Sequence, residues 1–491
     1  MRRAGLSVTD KRTMNRNRRL TEKKLGVTLP PHNPQFKPAN EEVQCPSYLD
    51  YKKALKHKFF VITSATNNSP LNEKFLDALE AFCEAKSGQL LVCPIRYWNN
   101  ELMGKADYKW DSRLYPYVIT DRDFIIHKTA LQVSALTSQA TAANPLSGMQ
   151  SLGGRRSVIY GATSLHQQPV ASHGRDPAKL LMTTGAVTGR RYLRGKAGQK
   201  AAFHHNFCAV AVLLVKNTYY HTQLMWDGKG FTFLNEYWTP DGKRAAPRSE
   251  AISRGDEHAE WAEPHILKAR KRACDRLNPK THIFHDVWDG ISVSHHAKLI
   301  DQIHRYNHGM HCLESGLKKT ADLIDKWGGE VNVIVDSNHD RHLERYVNEG
   351  RHLKEPHNTV LASQLLAQSV KSGKSMLQCY LEDNCKSKLV FPDCSKPYLI
   401  KNIDCGQHGD RGPNGSRGSI RSFAKGFYKS ITGHSHSAWI FQGAWSNGVS
   451  TMLMTFMKGL SSWTYTDTFI AANGKRFQLF YINGKSLVDF M

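Results

Sequence analysis

The chain has 491 residues, of which 40% are apolar and 10% aromatic, so it can build packed cores and is not disordered throughout. Lys and Arg total 67 against 43 Asp and Glu, which gives a formal net charge of +24. An excess of this size is more than solubility requires, and it favours a polyanionic partner, nucleic acid first, over a merely solvated basic surface. No apolar run approaches the ~18 residues that a membrane helix needs, so we expect no membrane contact.

The cysteines and the N-terminus favour a cytoplasmic protein. The ten cysteines form no CxxC pair, and the spacing of Cys379, Cys385, Cys394 and Cys405 fits no usual zinc pattern. We therefore interpret them as structural thiols in a reducing compartment. The first residues, MRRAGLSVTDKRTMNRNRRL, are basic and lack the apolar stretch of a signal peptide. Residues 1–56 are predicted to form a basic arm, although a tail without a role is the alternative.

The first core element along the chain is a βαβ unit. An apolar run from Phe59 predicts a buried strand, and Gln89–Ile95 predicts a second strand parallel to it. Between them, Ser69 and Pro70 predict the N-cap and the first residue of a helix. The helix has an apolar stripe with a 3.6-residue period, namely Phe75, Leu76, Leu79, Phe82 and Cys83. Further strands are predicted near residues 158, 180, 210 and 232, and residues 57–248 are interpreted as one α/β domain with a possible role in DNA binding or assembly.

One basic segment in this domain is a candidate for DNA contact. The sequence TGRRYLRGKAGQK carries Arg190, Arg191, Arg194 and Lys196 around Tyr192, without an acidic residue. Cations beside an aromatic ring and flexible glycines suit a nucleic-acid backbone. We predict that the four cations contact DNA, with an ordinary solvated loop as the alternative.

Five motifs in the second half place metal-binding side chains directly after predicted strands. They are GDEH with Asp256 and His258, HDVWD with Asp286 and Asp289, SNHD with Asn338, His339 and Asp340, QHG with His408, and GHSH with His434 and His436. Each one alone is usually a cap or a turn. Together they offer carboxylates, an amide and imidazoles without a thiolate, a set that suits two divalent ions such as manganese, iron or zinc. Two ions need a shared carboxylate, and Asp286 is the candidate bridge.

The order and spacing of these motifs resemble those of the calcineurin-like metallophosphoesterase family, over roughly residues 250–445. Three positions where the family usually has glycine carry His285, Ser337 and Gln407, and none of them is a ligand position. Within the family, the segments HDVWDGISVSHH and QHGDRGPNGSRGS are similar to those of the nuclease branch, which includes SbcD-like repair nucleases. They are most similar to pre-early DNases of tailed bacteriophages, which also have an ITSATNNSP-type α/β domain ahead of the phosphoesterase.

This resemblance implies a fold and a set of residue roles. Residues 249–491 would form a metallophosphoesterase βαββα sandwich of two mixed sheets, an α/β (α+β) fold preceded by the N-terminal α/β domain. One metal would be held by Asp256, His258, Asp286 and His436, and the other by Asp286, Asn338, His408 and His434. His339 would protonate the leaving group, Asp340 would orient His339, and Asp289 and His296 would support the ligands, although His296 is alternatively a surface or capping residue. The ions would be Mn²⁺ first, with Fe²⁺, Zn²⁺ or Mg²⁺ as alternatives.

The predicted function is a metal-dependent DNase. Hydroxide produced by two divalent ions would attack a DNA phosphodiester, and the protein would be a phage protein that degrades host DNA in the bacterial cytoplasm. Arg411 and Arg417 follow His408 and suit phosphodiester oxygens, or belong to an ordinary surface loop. The alternatives are a phosphatase or phosphodiesterase acting on proteins or small nucleotides, and a DNA-binding host-takeover protein with a vestigial metal site. A homo-oligomer is compatible with all three.

Overall fold

The computed structural model describes residues 45–97, 109–120, 122–173, 178–295, 299–426, 429–452 and 459–491. Most of the predicted basic arm, residues 1–44, therefore lies outside the described residues, and its role stays a prediction. Within the described ranges, no helix combines the length and the apolarity needed to cross a bilayer.

Short strands and amphipathic helices alternate along the chain. The strands before residue 250 are β1 (Phe59–Thr66), β2 (Gln89–Ile95), β3 (Phe124–His127), β4 (Leu131–Val133), β5 (Ser157–Tyr160), β6 (His166–Val170), β7 (Ser172–His173), β8 (Lys179–Thr183), β9 (Cys208–Val215), β10 (Thr218–Met225), β11 (Phe231–Phe233), β12 (Glu236–Thr239) and β13 (Gly242–Ala245). The later strands are β14 (Ala251–Ser253), β15 (Thr281–Phe284), β16 (Val331–Ile334), β17 (Leu389–Val390), β18 (Leu399–Ile400), β19 (Ile403–Asp404), β20 (Ser430–Thr432), β21 (Ile440–Phe441), β22 (Ala444–Ser446), β23 (Leu460–Ser461), β24 (Thr466–Ile470) and β25 (Arg476–Phe480). The helices are α1 (Tyr51–Ala54), α2 (Glu73–Ala85), α3 (Lys196–His204), α4 (Pro264–Leu277), α5 (Leu299–Asn307), α6 (Leu313–Trp327), α7 (His342–Asn348), α8 (Pro356–Ser372), α9 (Met376–Asn384) and α10 (Ile420–Gly426).

The predicted βαβ unit is confirmed. β1 and β2 are parallel neighbours in a four-stranded sheet with the order β10-β9-β1-β2. All eight residues of β1 are buried, as expected for a strand covered on both faces. Helix α2 buries the predicted apolar stripe against this sheet.

The start of α2 differs from the prediction. The helix begins at Glu73, and its N-cap is Asn72, whose side chain accepts a hydrogen bond from the Phe75 amide at 3.2 Å. Ser69 was predicted as the cap, but the chain stays extended beyond it: Leu71 pairs with Thr188, and the Asn72 amide donates to the Val187 carbonyl at 3.0 Å. This pairing with a distant segment delays the helix by one turn.

Two larger sheets pack face to face beneath the five motifs. One has six strands in the order β17-β16-β15-β14-β24-β25, and the other has ten in the order β18-β19-β20-β22-β21-β6-β8-β5-β4-β3. Apolar side chains of both sheets form one core, which includes Ile283 and Val333 from the first sheet and Ile403, Ile431 and Trp445 from the second. The chain is thus a mixed α/β protein, as predicted at that level.

Strands from both sides of residue 248 share the ten-stranded sheet. β6 pairs antiparallel with β21 through Gln167 and Ile440, and the described residues from Cys45 to Met491 form one compact unit. The predicted division into domains 57–248 and 249–491 therefore does not coincide with a break between sheets. The division into these two domains stays a prediction.

Candidate metal centre

The ends of five strands deliver the predicted metal ligands to one place. β14, β15 and β16 are parallel neighbours, and the loops after them carry Asp256 with His258, Asp286, and Asn338. In the facing sheet, β19 and β20 are parallel and precede His408 and the pair His434 and His436. Because parallel strands end at the same edge of a sheet, five loops that are distant in sequence converge.

A first group consists of Asp256, His258, Asp286 and His436, whose ligand atoms lie within 4.8 Å of one another. His436 Nε2 is 3.1 Å from Asp256 Oδ2 and 3.3 Å from His258 Nε2. His258 Nε2 is 3.9 Å from Asp286 Oδ2. These four residues are the ligands that the sequence predicts for one metal.

A second group consists of Asp286, His408 and His434, again with ligand atoms within 4.8 Å of one another. His408 Nε2 is 3.1 Å from Asp286 Oδ2. Asn338 Oδ1 completes the group, at 3.0 Å from both His408 Nε2 and His434 Nδ1. Asp286 belongs to both groups, as a bridging carboxylate must.

The backbone at four of the candidate ligands is in the left-handed conformation. His258, Asp286, His434 and His436 all have positive φ, between 40° and 64°. Side chains other than glycine rarely adopt this conformation, and it persists where the surrounding structure enforces it, often at functional sites. The GHSH loop also approaches Asp256 closely, because a Cβ atom on Gly433 would lie 2.1 Å from Asp256 Oδ1.

The donor atoms fit divalent cations. Asp256 is fully buried, and among the described residues Nε2 of His436, itself a candidate ligand, comes within 3.1 Å of its Oδ2. A buried carboxylate to which no backbone amide or hydroxyl of the described residues donates is costly unless a cation neutralises it. The set of carboxylate, amide and imidazole ligands, without thiolate, suits Mn²⁺, Fe²⁺ or Zn²⁺.

The electrostatics of the site point the same way. Burial opposes ionisation of Asp286, but the neighbouring His408 and His339 outweigh it and hold the pKa of Asp286 well below its usual range. Burial likewise lowers the pKa of His258 and His408, yet the carboxylates around them raise both pKa values to about 9. The carboxylates thus stabilise positive charge at this place, and bound ions would supply that charge instead of the protons on His258 and His408.

Asp289, predicted to support the ligands, contacts His258 and His339 through two different groups. Its side chain lies 2.8 Å from His258 Nδ1, which leaves His258 Nε2 for the first group. Its main-chain carbonyl lies 2.7 Å from His339 Nδ1. These two contacts explain why His258, Asp289 and His339 also come within 4.8 Å of one another. A histidine held in this way by a carboxylate has a fixed tautomer and ring orientation.

Sequence reasoning missed Glu260. The Asp289 amide donates to Glu260 Oε2 at 2.9 Å, so Glu260 holds the residue that holds His258. Burial and the charge of Asp289 raise the pKa of Glu260 to about 8. Glu260 belongs to the GDEHAEW stretch, but no spacing in the sequence separates it from an ordinary surface acid.

His339 lies at the edge of the site with a quarter of its side chain exposed. Its amide donates to Asp286 Oδ1 at 3.4 Å. Because the carbonyl of Asp289 can only accept, Nδ1 of His339 carries the proton, and Nε2 is the atom left to exchange a proton with a substrate.

Asp340 was predicted to orient His339, and the described contacts give that role to Asp289 instead. Asp340 Oδ2 accepts hydrogen bonds from the Ser337 amide at 3.1 Å and the Ser337 hydroxyl at 2.7 Å, and so closes the loop of its own motif. Burial, followed by the charge of Asp286, raises the pKa of Asp340 well above its usual range.

His296 lies outside the described residues, so its predicted supporting role stays a prediction. Its neighbour His295 is described, with Nε2 at 2.6 Å from Arg345 Nη1.

Arg411 and Arg417 lie on an ordered loop that starts directly after His408. The two residues pair with each other as an antiparallel bridge, and both are exposed. The Gly418 amide closes the loop by donating to the Asp410 carbonyl at 2.9 Å. The Asp410 side chain also forms an ion pair with Arg341, which follows the third motif. The loop is therefore tied to the metal centre at its base and presents two cations to solvent.

The basic segment of the N-terminal half is also at the surface. Arg190, Arg191, Arg194 and Lys196 are exposed, between β8 and the first turn of α3. Tyr192 is half-buried, and its hydroxyl lies 2.7 Å from His205 Nδ1. Tyr192 thus anchors the segment, and the cations around it stay accessible. Their contact with DNA stays a prediction.

Comparison with known proteins gives one informative relative. No family model matches the chain, and no solved structure gives a significant match. Protein A1 of Escherichia phage T5 is 29% identical to this chain over 459 residues, a match that covers 87% of this chain and 82% of that protein. The chain is therefore similar, along most of its length, to a bacteriophage protein.

Proposed function

We propose that this protein is a metal-dependent DNase of phage origin that hydrolyses phosphodiester bonds of host DNA in the bacterial cytoplasm. The observation that carries the proposal is the pair of ligand groups that share the buried carboxylate of Asp286. We also propose that the two packed sheets are those of the metallophosphoesterase sandwich that the motifs resemble. The similarity to a phage protein supports the origin.

In this proposal each residue has a defined task. Asp256, His258 and His436 would hold one ion, and Asn338, His408 and His434 the other, with Asp286 between them. Bound divalent ions would supply an activated water and neutralise charge on the phosphoryl oxygens. Asp289 keeps His258 and His339 in position, and His339 presents Nε2 to the leaving oxygen as a proton donor.

Two features favour DNA over a small phosphoester as the substrate. The net charge of +24 attracts a polyanion over a long range. The exposed Arg411 and Arg417 lie on a loop that begins directly after His408, where they can contact the strand on either side of a bound phosphate. A phosphatase for small molecules needs neither feature.

The test is cleavage of linear and closed circular DNA by metal-stripped protein after separate addition of Mn²⁺, Mg²⁺ or Zn²⁺. We expect cleavage with Mn²⁺ and none with chelator, and cleavage of closed circles would identify an endonuclease. Asp286→Asn should be inactive. The matched control Asp393→Asn, in an exposed turn outside the site, should retain activity.

Two results would contradict the proposal. Hydrolysis of phosphomonoesters without cleavage of DNA would favour a phosphatase. Tight DNA binding without cleavage under any metal would favour a DNA-binding protein with a vestigial site.

A further inference from the structure

A cavity of about 410 Å³ lies next to the metal centre and is not used by the proposed chemistry. Its volume is in the range of small-molecule sites, which are typically ~300–1,000 Å³. Its walls come from β8, β10, β25 and the segment before β24, and they include Arg155, Lys179, Tyr219, Trp463, Tyr465 and Phe480.

Trp463 connects this cavity to the metal centre. Its ring packs edge-on against the imidazole of His436, with the ring centroids 4.3 Å apart. The adjacent Thr464 amide donates to the His436 carbonyl at 2.9 Å, which fixes the backbone of the two segments together. The cavity wall therefore begins one side chain away from a proposed metal ligand.

The lining suits a flat aromatic ligand that carries negative charge. Tyr219, Trp463 and Tyr465 line the cavity, and each of these residues is half-buried. Among the described residues that line the cavity, none is acidic.

Two cations add to this chemistry. Arg155 is exposed at the cavity, and Lys179 is buried there. The Lys179 ammonium donates to the carbonyls of Gln150 and Gly154 at 2.5 and 2.8 Å, which within the described residues leaves its third N–H for a ligand.

We propose that this cavity receives a base of the DNA strand close to the phosphate that is cleaved. The inference rests on the proposed function. The aromatic rings would stack on the base, and Arg155 and Lys179 would contact the adjoining phosphate. A base can enter only when it is unpaired, so the enzyme should prefer single-stranded or frayed DNA over a continuous duplex.

The test uses single-stranded oligonucleotides with one abasic position moved along the strand, cleaved by the metal-loaded full chain. One position near the cleaved bond should be sensitive, with kcat/KM lowered about 5- to 100-fold, the range for loss of one stacked base. Tyr219→Leu and Arg155→Gln should lower kcat/KM on the intact strand, and Tyr219→Leu should remove the sensitivity to the abasic position, because base and ring act as one pair.

Two controls isolate the cavity. Diethyl phosphate is a phosphodiester without a base or any other aromatic ring, and its hydrolysis, measured as released ethanol, should be unchanged in both variants. Tyr48→Leu, an exposed tyrosine outside the lining, should leave oligonucleotide cleavage unchanged. Abasic substitution without effect at every position would overturn the proposal, and so would an equal loss of both substrates in Tyr219→Leu and Arg155→Gln.

A separate measurement keeps the cavity testable if the proposed function fails, that is, if no metal supports hydrolysis of either substrate. Fluorescence anisotropy with labelled oligothymidylate then measures binding directly. Weaker binding of the Tyr219→Leu and Arg155→Gln proteins, and of an abasic strand by the unaltered protein, supports the base site. Equal binding of all of them overturns it.

Discussion

The His339 amide nitrogen lies 3.4 Å from Asp286 Oδ1, yet replacing His339 and replacing Asp286 should have different effects. His339 Nδ1 hydrogen-bonds to the Asp289 carbonyl and a quarter of the side chain is exposed, which suits a proton donor better than a ligand. His339→Asn should therefore keep the metal content while lowering DNA cleavage roughly 10²–10⁴-fold, the usual range for lost acid catalysis. Asp286→Ala should lose metal as well as activity, because it removes the carboxylate common to both groups.

Metal analysis together with cleavage assays on both variants makes the comparison. If His339→Asn loses its metal as Asp286→Ala does, His339 is a ligand or a structural residue.

Asp289 should control metal affinity from outside the ligand set. Asp289→Ala removes the acceptor that holds His258 Nδ1, whereas the main-chain carbonyl that holds His339 remains. Loss of such a supporting carboxylate typically weakens metal binding ~10–100-fold. Calorimetric titration of metal-stripped protein measures this loss, with Asp393→Ala as the control at an exposed acid. Unchanged affinity would show that His258 needs no such support.

The sequence predicts the candidate ligands better than it predicts the residues that hydrogen-bond to them and hold them in place. Asp256, Asp286 and His408 follow strands, and each belongs to a motif with fixed spacing, so their convergence could be anticipated. The supports depend on distances across the fold. Asp340 is next to His339 in sequence yet turns to Ser337, and Glu260 reaches Asp289 from another loop without any motif to mark it.

At the scale of single elements, the start of α2 gives a direct measurement of capping. Asn72→Ala removes the side chain that accepts from the Phe75 amide and should cost about 0.5–2 kcal/mol of unfolding free energy. Ser69→Ala should change stability far less, because Ser69 lies outside the helix. Urea unfolding of both variants tests this assignment, and a larger loss for Ser69→Ala would restore Ser69 as the cap.

The loop with Arg411 and Arg417 and the segment with Arg190, Arg191 and Arg194 should each contribute to the salt dependence of DNA binding. Each phosphate contact adds ~0.9 to the slope of log K against log salt for duplex DNA, or ~0.7 for a single strand. Arg411→Gln with Arg417→Gln should therefore lower the slope by about 1.4 to 1.8 if both arginines contact phosphates. Charge reversal at Arg190, Arg191 and Arg194 should weaken binding and flatten the slope too. An unchanged slope for either set would make it an ordinary solvated surface.

At this scale the sequence predicts the long strands and also the short apolar strands near residues 158 and 232, but it gives no signal for strands of two residues. The runs that became β1, β2 and β9 are seven or eight residues of mostly apolar sequence, which fixes them as strands. β17, β18 and β19 have two residues each, too few for any periodicity to appear. They form only because neighbouring strands offer unpaired edges.

For the whole molecule, the pairing between strands that are far apart in the chain could not be predicted from the sequence. β6 and β21 are separated by about 270 residues and make only two residue pairs. No local pattern encodes such a contact, which lies within the ten-stranded sheet and joins strands from both parts of the chain. For this reason the sequence predicts residues 57–248 as a separate domain, whereas in the structure β3, β4, β5, β6 and β8 belong to the same sheet as β18 to β22.

The histidines also give the whole molecule a characteristic dependence of stability on pH. Burial lowers the pKa of His166, His221 and His282 from 6.5 to about 3. The folded protein keeps these histidines neutral, so the free energy of unfolding is unaffected by them above pH 6.5 and decreases as the pH falls below 6.5. His258 and His408 behave in the opposite way. Because their pKa values are raised to about 9, their contribution is complete below pH 6.5 and is lost as the pH rises through 9.

Metal-stripped protein should therefore have its highest Tm near pH 6.5 and lose stability in both directions, whereas metal-loaded protein should keep its stability on the alkaline side. Divalent ions bind neutral imidazole, so they displace the protons from His258 and His408 and neutralise Asp256 and Asp286 in their place. The gain in Tm on adding Mn²⁺ should therefore grow as the pH rises from 6.5 towards 9. Thermal unfolding with chelator and with excess Mn²⁺, across that range, measures the gain. The variant His258→Gln, His408→Gln should flatten the alkaline limb of the metal-stripped curve, because it removes the two groups whose protons are lost there. A gain in Tm that stays the same at every pH would mean that metal binding displaces no protons from these histidines, and the assignment of His258 and His408 as ligands would then be wrong.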